Sequence, residues 1–261
     1  MMLFNLLGPL EVVTAERALP LGGVIQRATL GYLLLNPNKV VATSRLVKAL
    51  WGDDAPMTSR KMVQNAVSGI RRLLEEPGAE VLGTRLATAP YGYQLHIDPD
   101  TVDAARFRRL AARGRGELAA GFPDLAVDTL AESLDLWRDS VLADLAETGI
   151  TWPSFAQLER ERLAAYEDWV TAGLELGRHH ELVADLEEMA AAVPTRERIC
   201  RHLMVALYRC GRQSEALVAY RRTRHALVEV HGLDPTRELQ ELERAILNHE
   251  PSLLGRQPQP A

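Results

Sequence analysis

Hydrophobic and polar positions change their spacing along the chain, and the first hundred residues mix short apolar runs with amphipathic stretches. Three of these runs have the length and the flanking turn residues of strands in a small sheet. They are Leu3 to Leu7, Leu10 to Thr14 and Ala18 to Leu21. Gln26 to Leu35 then has a helical period and ends at Asn36-Pro37. The pattern predicts an N-terminal sheet followed by a helix.

Two further helices are predicted after this first one. Ser44 to Trp51 has its apolar residues on one face, and the Thr43 or Ser44 side chain can cap its start. After a loop, Thr58 or Ser59 opens a longer helix that runs to about Glu76.

A β-hairpin is predicted next, because Val81 to Ile97 has β character interrupted by Ala89-Pro90-Tyr91-Gly92. A sheet, three helices and a hairpin in this order are typical of a winged helix-turn-helix with an added N-terminal sheet. In such a fold the third helix enters the DNA major groove and the hairpin forms the wing.

The chain from Asp103 onward has a helical period and contains an internal repeat. Leu176-Gly177-Arg178 recurs as Cys210-Gly211-Arg212, 34 positions later. A weaker copy begins at Gly121, 56 residues before Gly177. A 34-residue period with a small residue at the turn is typical of tetratricopeptide repeats. A generic helix bundle is the alternative interpretation.

These patterns predict an α+β winged helix-turn-helix N-terminal domain followed by an all-α tetratricopeptide-like helical domain. The linker is placed near Asp98-Pro99-Asp100. The predicted division is a DNA-binding domain over residues 1–98, a helical domain over 99–250 and a disordered, proline-containing tail over 251–261.

Composition limits the cellular setting and the possible cofactors. The two cysteines, Cys200 and Cys210, are too few for a disulfide framework, so core thiols in a reducing cytoplasm are expected. No run of 18 apolar residues exists, so no membrane span is expected. The only adjacent histidines, His179-His180, would point about 100° apart on a helix and form a poor chelate. We therefore expect no metal site and no cofactor.

The chain lacks the sequence signatures of common catalytic sites. It has no phosphate-binding G-x-x-x-x-G-K loop, no G-x-S-x-G nucleophile turn and no H-E-x-x-H metal motif. We therefore expect that the protein is not an enzyme.

The net charge of −5 conceals an uneven distribution along the chain. Residues 1–98 hold ten basic and eight acidic residues, a net charge of +2, whereas residues 99–261 have a net charge of −7. Within the first part, Arg27 to Arg72 holds eight basic residues against Asp53 and Asp54, a net charge of +6. Positive charge is therefore concentrated on the helix-turn-helix segment, where it can attract phosphates.

The third helix has one apolar face and one face with the side chains that read DNA. The apolar face, Met62, Val63, Ala66, Val67, Ile70, Leu73 and Leu74, falls within an arc of about 140°. The opposite face presents Lys61, Gln64, Ser68, Arg71 and Arg72, with Asn65 at its edge. Gln and Asn can bond adenine twice, and Arg can bond guanine twice. A merely solvated helix face is the alternative, but the position between a short helix and a hairpin favours DNA.

The hairpin adds four polar or aromatic side chains. Arg85, Thr88 and Tyr91 are expected to contact phosphates or to enter the minor groove. For Tyr93 we favour packing toward the core over contact with DNA.

Several short motifs, in the right order, resemble those of the SARP family, the antibiotic regulatory proteins of actinobacteria. In the first part of the chain they are Leu7-Gly8-Pro9-Leu10, Gln26-Arg27-Ala28, Ala49-Leu50-Trp51-Gly52 and Gly92-Tyr93. In the second part they include Leu136-Trp137-Arg138, Arg196-Glu197-Arg198, Gly211-Arg212-Gln213 and Gly232-Leu233-Asp234-Pro235. The first set resembles an OmpR-like winged helix and the second a bacterial transcriptional activation domain, together covering about residues 3–250.

The resemblance implies a transcriptional activator of secondary-metabolite, or antibiotic, gene clusters. Such a protein binds direct repeats in double-stranded promoter DNA near the −35 element as a homodimer or a side-by-side pair. It recruits the RNA polymerase holoenzyme, including its sigma factor. The resemblance further implies a two-component-like output domain without a receiver, located in the cytoplasm on the nucleoid.

Carried over residue by residue, the resemblance places base reading on the exposed face between Lys61 and Arg72. Arg60, at the positive end of that helix, could hold a phosphate. For the loop before that helix, the resemblance implies a contact with RNA polymerase through Asp53 and Asp54. The alternative is that these aspartates cap the third helix or are merely solvated.

Two other functions remain open from the residues alone. A helical-repeat scaffold for protein interactions would use the second part of the chain, and a repressor would use the same winged helix.

Overall fold

The computed structural model describes residues 2–75 and 84–254 of the 261-residue chain. The chain divides into two compact units, one of Met1–Ala112 with Glu132–Leu163 and the other of Arg113–Ala131 with Ala164–Ala261. The strands are β1 (Leu3–Asn5), β2 (Glu11–Val13), β3 (Val40–Ala42), β4 (Arg85–Ala89) and β5 (Gly92–His96). The first helices are α1 (Val24–Leu34), α2 (Thr43–Trp51), α3 (Ser59–Leu74), α4 (Asp103–Ala119), α5 (Pro123–Leu134) and α6 (Ala143–Ala146). The remaining helices are α7 (Pro153–Glu175), α8 (His179–Ala192), α9 (Glu197–Arg209), α10 (Gln213–His231) and α11 (Arg237–Leu247).

Three sequence predictions lie wholly or partly outside the described residues. The predicted end of the third helix at Glu76 and the start of the hairpin at Val81 fall in the gap at 76–83. Of the predicted tail, Pro251–Leu254 forms a short 3-10 helix, and 255–261 are outside the described part of the chain.

The N-terminal sheet has two strands rather than the predicted three. β1 and β2 pair antiparallel, with Phe4 opposite Val12. The predicted strand over Ala18 to Leu21 is wrong, since the only pairing there is an isolated bridge between Val13 and Ala18. The Leu19 N–H still donates to the Val12 carbonyl oxygen, but Pro20 comes next and has no N–H to continue a ladder.

The segment after β1 is held by a buried carboxylate at the start of α4. The backbone N–H groups of Leu6 and Leu7 both donate to Asp103, at 2.8 Å and 2.9 Å. Their carbonyl groups accept from the N–H groups of Leu142 and Arg138. The N–H and carbonyl groups of the buried Leu6-Leu7 segment thus find their partners at Asp103, Arg138 and Leu142. The first compact unit therefore extends well beyond the predicted boundary after residue 98.

The wing belongs to a three-stranded antiparallel sheet of order β3-β5-β4. The hairpin prediction is confirmed, with Pro90 and Tyr91 at its turn, whereas strand β3 was not predicted. Ala42 of β3 lies opposite Gly92 of β5. A Cβ atom built on Gly92 would lie 2.0 Å from the Val41 carbonyl oxygen, so only glycine fits this pairing.

Replacing Gly92 with Ala should therefore destabilise the winged-helix fold by about 3 kcal/mol, because backbone must move to admit the methyl group. The measurement is urea unfolding of the variant and the parent chain. Gly116→Ala is the matched control, since a Cβ there meets nothing within 4 Å in helix α4. That control should be neutral or stabilising. A Gly92→Ala variant as stable as the control would contradict the prediction.

The predicted side-chain cap of α2 is wrong, whereas α3 begins at Ser59 with Thr58 as its N-cap residue, as predicted. The N-cap of α2 is Ala42, and the Thr43 N–H donates instead to the Tyr91 carbonyl oxygen at 2.9 Å. The Thr58 side chain makes no capping hydrogen bond at the start of α3. The wing turn, rather than a local hydroxyl, satisfies the first donor of α2.

The second unit contains the repeated turn that the sequence predicted. Gly121, Gly177 and Gly211 have φ angles of 81°, 76° and 76°, which favour glycine over any residue with a Cβ. In each copy, the N–H after the glycine donates to the carbonyl five residues earlier, a closure typical of helix C-termini. The weaker copy at Gly121 is therefore the same turn, although its spacing is irregular.

An ion cluster in this second unit joins two buried carboxylates to two exposed arginines. Glu167 is fully buried and accepts two hydrogen bonds from Arg196, at 2.7 Å and 3.0 Å. Arg198 bridges Glu167 and Asp168. The hydrogen bond to Glu167 raises the pKa of Arg196 above its usual value. The Arg196-Glu197-Arg198 motif thus has a structural role, in which the two arginines pair with acids of α7.

Candidate nucleic-acid interface

Helix α3 separates its residues into the two faces that the sequence predicts. Its inner face is buried at Val63, Ala66, Val67, Ile70 and Leu73, while Met62 and Leu74 are half-buried. Its outer face exposes Arg60, Lys61, Gln64, Asn65, Ser68 and Arg72. These six side chains are called the recognition face below. They offer both hydrogen-bond donors and acceptors, and no acidic residue stands among them.

Arg71 differs from the other predicted base-reading residues because its guanidinium is engaged inside the unit. Its Nε donates to the Leu86 carbonyl oxygen at 3.0 Å, and its Nη2 donates to Thr88 Oγ1 at 2.7 Å. Arg71 and Thr88, predicted as separate DNA contacts, therefore contact each other. Arg71 fixes strand β4 of the wing against the recognition helix, which the sequence pattern could not show.

Replacing Arg71 with Ala should lower the stability of the winged-helix unit by about 1–3 kcal/mol, since two hydrogen bonds are lost. DNA affinity should fall to a similar extent on all sequences, because the wing loses its orientation rather than a base contact. The measurements are thermal unfolding and binding to preferred and random duplexes. Arg72→Ala, one position further on the exposed face, should leave stability unchanged. If Arg71→Ala changed base preference without changing stability, Arg71 would be a base reader.

The other residues predicted for the wing are exposed or buried as the hairpin pattern predicts. Arg85 and Tyr91 are exposed, with Tyr91 at the turn and 73% accessible. Tyr93 is buried at 9% exposure, as predicted. Arg85 and Tyr91 are thus free to contact a phosphate backbone.

The N-terminus of α3 has donors available for an anion. Among the described residues, no acceptor is found for the backbone N–H groups of Arg60 and Lys61. The Ser59 N–H is already used by the Pro56 carbonyl oxygen. Two free N–H groups and the Arg60 side chain at the positive end of a helix suit a phosphate oxygen.

The loop between α2 and α3 presents the two aspartates to solvent. Asp53 and Asp54 are both exposed, and no hydrogen bond or ion pair joins either carboxylate to another described residue. The alternative that they cap α3 therefore finds no support in the described part of the chain. They remain available to a partner or to water.

Helix α2 adds two exposed cations that were not among the predicted DNA contacts. Arg45 and Lys48 lie on its solvent side, and Arg45 Nε donates to the Tyr32 hydroxyl at 2.9 Å. In helix-turn-helix proteins the first helix of the pair crosses the phosphate backbone. The basic segment from Arg27 to Arg72, already visible in the sequence, was the signal that could have identified them.

None of the helices within residues 2–75 and 84–254 combines the length and the apolar character that crossing a bilayer requires.

Comparison with known proteins identifies both parts of the chain. The family described as "Transcriptional regulatory protein, C terminal" matches residues 24–103, and "Bacterial transcriptional activator domain" matches residues 102–247. The regulatory protein DnrI of Streptomyces peucetius is 33% identical over 256 residues, covering 97% of this chain and 94% of that protein. The transcriptional regulator RedD of Streptomyces coelicolor is 35% identical, covering 95% of this chain and 71% of RedD.

A mycobacterial relative extends the comparison to structure. The transcriptional regulatory protein EmbR of Mycobacterium tuberculosis is 35% identical over 248 residues, and the match spans 95% of this chain but 64% of EmbR. The solved structure of EmbR in complex with a low-affinity phosphopeptide has a TM-score of 0.89 at 34% identity, covering 97% of this chain and 68% of that one.

The fold, the basic helix-turn-helix and these matches define a transcriptional regulator with a winged-helix domain followed by a helical domain. The predicted fold class is confirmed. The chain belongs to the SARP family of transcriptional regulators.

Proposed function

We propose that this protein is a sequence-specific DNA-binding transcriptional activator. The observation that carries the proposal is the recognition face of α3, which places Gln64, Asn65 and Ser68 in solvent beside basic residues and an exposed wing. An amide side chain can bond adenine twice in the major groove, and the surrounding cations neutralise phosphates. In this proposal residues 1–98 bind DNA and residues 99–250 activate transcription. The protein has no catalytic role in the proposal.

The proposed DNA site is a direct repeat near the −35 element of promoters in a secondary-metabolite gene cluster. Two chains bound side by side would place their recognition helices about one turn of DNA apart, on the order of 34–36 Å. Family membership supports this arrangement. Binding to promoters would also place the protein on the nucleoid.

The proposed partner in activation is the RNA polymerase holoenzyme with its sigma factor. Asp53 and Asp54 lie in the exposed loop before the recognition helix, and their carboxylates have no partner among the described residues. Two unpaired negative charges beside a DNA-binding helix fit a basic protein surface that approaches the same promoter.

Reversing both charges, Asp53→Lys with Asp54→Lys, should reduce activated transcription about tenfold, because charge attraction becomes repulsion. Affinity for the promoter should be equal to or slightly above that of the parent, because the change adds positive charge near DNA. The measurements are in vitro transcription with purified polymerase and a gel-shift titration. Glu16→Lys, on an exposed turn of the same unit, is the charge control. Loss of promoter affinity equal to the loss of transcription would contradict a polymerase contact.

The experiment that tests the function is a nuclease footprint on the promoters neighbouring the coding gene, followed by in vitro transcription from each protected promoter. A protected direct repeat with increased transcript supports the activator. Protection with decreased transcript would make the protein a repressor. Absence of protection at every promoter would favour the interaction scaffold instead.

A further inference from the structure

Three side chains that ligate metals meet at one end of the helical unit. His179 and His180 begin α8, and Cys210 directly follows α9. One ligand atom from each residue lies within 4.8 Å of the other two. From the sequence, both cysteines were expected to be core thiols and the His179-His180 pair a poor chelate. Cys200 is buried, but Cys210 is half-buried, with its Sγ 3.3 Å from His180 Nδ1.

The spacing of these atoms is close to that of a tetrahedral metal site. Bond lengths of 2.0–2.1 Å for Zn–N and 2.3 Å for Zn–S place neighbouring ligand atoms about 3.4–3.6 Å apart. The contact between Cys210 and His180, at 3.3 Å, is close to this length. The remaining separations, at most 4.8 Å, would close by up to about 1.4 Å. Both of them involve His179, so a rotation about the χ angles of His179 would supply that movement.

One buried polar atom of the cluster lacks a good hydrogen-bond partner among the described residues. His179 Nδ1 is buried and makes no hydrogen bond of good geometry among the described residues, although the Gly177 backbone interacts with this imidazole. A buried ring nitrogen without a partner is costly unless another group or an ion satisfies it. The two rings lie close together, with centroids 4.6 Å apart, although adjacent positions inside a helix diverge. Their place in the first turn of α8, directly after the Gly177 turn, brings them together.

Metal binding changes the protonation of a cysteine ligand, because the thiolate and not the thiol binds the ion. Binding of a metal ion at Cys210 should therefore release the thiol proton.

The internal repeat does not account for these three residues. The positions equivalent to Cys210, His179 and His180 in the other copy of the turn are Leu176, Gln213 and Ser214. The helix–turn–helix geometry thus forms equally well with an apolar and two uncharged polar residues. The ligand set is a property of this one junction and not a requirement of the repeat.

We propose that His179, His180 and Cys210 form a three-ligand site for a thiophilic transition-metal ion such as Zn²⁺. Two imidazoles and one thiolate are ligands that Zn²⁺ takes in proteins, and a fourth position would be left for water or another ligand. The ion would join the start of α8 to the end of α9. Metal binding would therefore stabilise the helical unit against unfolding.

The test is a Zn²⁺ titration of the reduced full-length chain against a competing chromophoric chelator. We expect one ion per chain, one proton released on binding, and a higher melting temperature with Zn²⁺ but not with Mg²⁺. His180→Ala and Cys210→Ala should each weaken Zn²⁺ binding at least about tenfold. His225→Ala, an exposed histidine elsewhere on α10, is the matched control and should bind as the parent does.

Co²⁺ provides a second readout that does not depend on stability. A cobalt–thiolate absorption band should form in the parent and in His225→Ala, and should be absent in Cys210→Ala. Because His180 is exposed, His180→Ala is expected to fold and keeps the test valid if Cys210→Ala does not. Equal Zn²⁺ affinity in the parent, His180→Ala and Cys210→Ala, or no binding to the parent, would overturn the proposal.

Discussion

Replacing Gln64 and Asn65 together with Ala is expected to abolish base selectivity while leaving non-specific DNA binding almost unchanged. Both side chains are exposed on the recognition face, and neither forms a hydrogen bond with another described residue. Each bidentate amide contact to a base is worth about 1–3 kcal/mol, so two contacts amount to a loss of about 30-fold to 10⁴-fold in specific affinity. Random DNA, held through phosphates, loses none of these bonds.

The measurement is competition between the preferred duplex and random duplex at several salt concentrations. Lys61→Ala is the informative comparison, since a phosphate contact should weaken both duplexes equally and lower the salt slope by about one. The double variant should instead keep the salt slope and lose the preference. Unchanged preference in the double variant would show that α3 is not the base-reading element, even if the chain binds DNA.

Replacing Asp103 with Ala is expected to destabilise the first unit by about 3–5 kcal/mol, because the buried N–H groups of Leu6 and Leu7 would each lose their acceptor. Leu6 and Leu7 are fully buried, so water cannot take the place of the carboxylate. A loss of this size is a large part of the stability of an ordinary domain. Burial raises the pKa of Asp103 above its usual value, while the N–H groups of Leu7, Leu6 and Ala104 oppose that rise.

Urea unfolding followed by tryptophan fluorescence measures this effect. Asp103→Asn should give an intermediate loss, since its amide oxygen can accept but its NH₂ group faces other donors. Asp53→Ala removes an exposed carboxylate with no partner among the described residues and should be neutral. If Asp103→Ala were as stable as Asp53→Ala, the segment after β1 would draw its stability from apolar packing alone.

Helices α2 and α3 were predictable because each has a marked amphipathic period that its surroundings did not override. The period of α3 gave both its buried face and its recognition face, and the glycine spacing gave the repeated turns of the second unit. The hairpin followed from its proline and glycine. Strand β3 was missed because three residues carry too little periodicity, and the strand expected after Ala18 failed because Pro20 cannot pair.

The residue types on the outer side of α3 could be predicted from the sequence. Which of these side chains are free to contact DNA could not. Arg71 has the same residue type and helix position as a base reader, yet Leu86 and Thr88 of the wing occupy two of its donors. The separation of 15 and 17 residues along the chain hides this contact from any local pattern.

The sequence by itself determined the order of elements, the buried side of each helix and the concentration of positive charge before the wing. These properties depend on local spacing, which fixes the side of a helix or strand on which a residue lies. Only the tertiary structure decided the particular partners. Asp103 with Leu6 and Leu7, Arg71 with Thr88, and Cys210 with His180 each join residues that are far apart in the chain. Such pairs arise from how whole elements pack in three dimensions, so no local period encodes them.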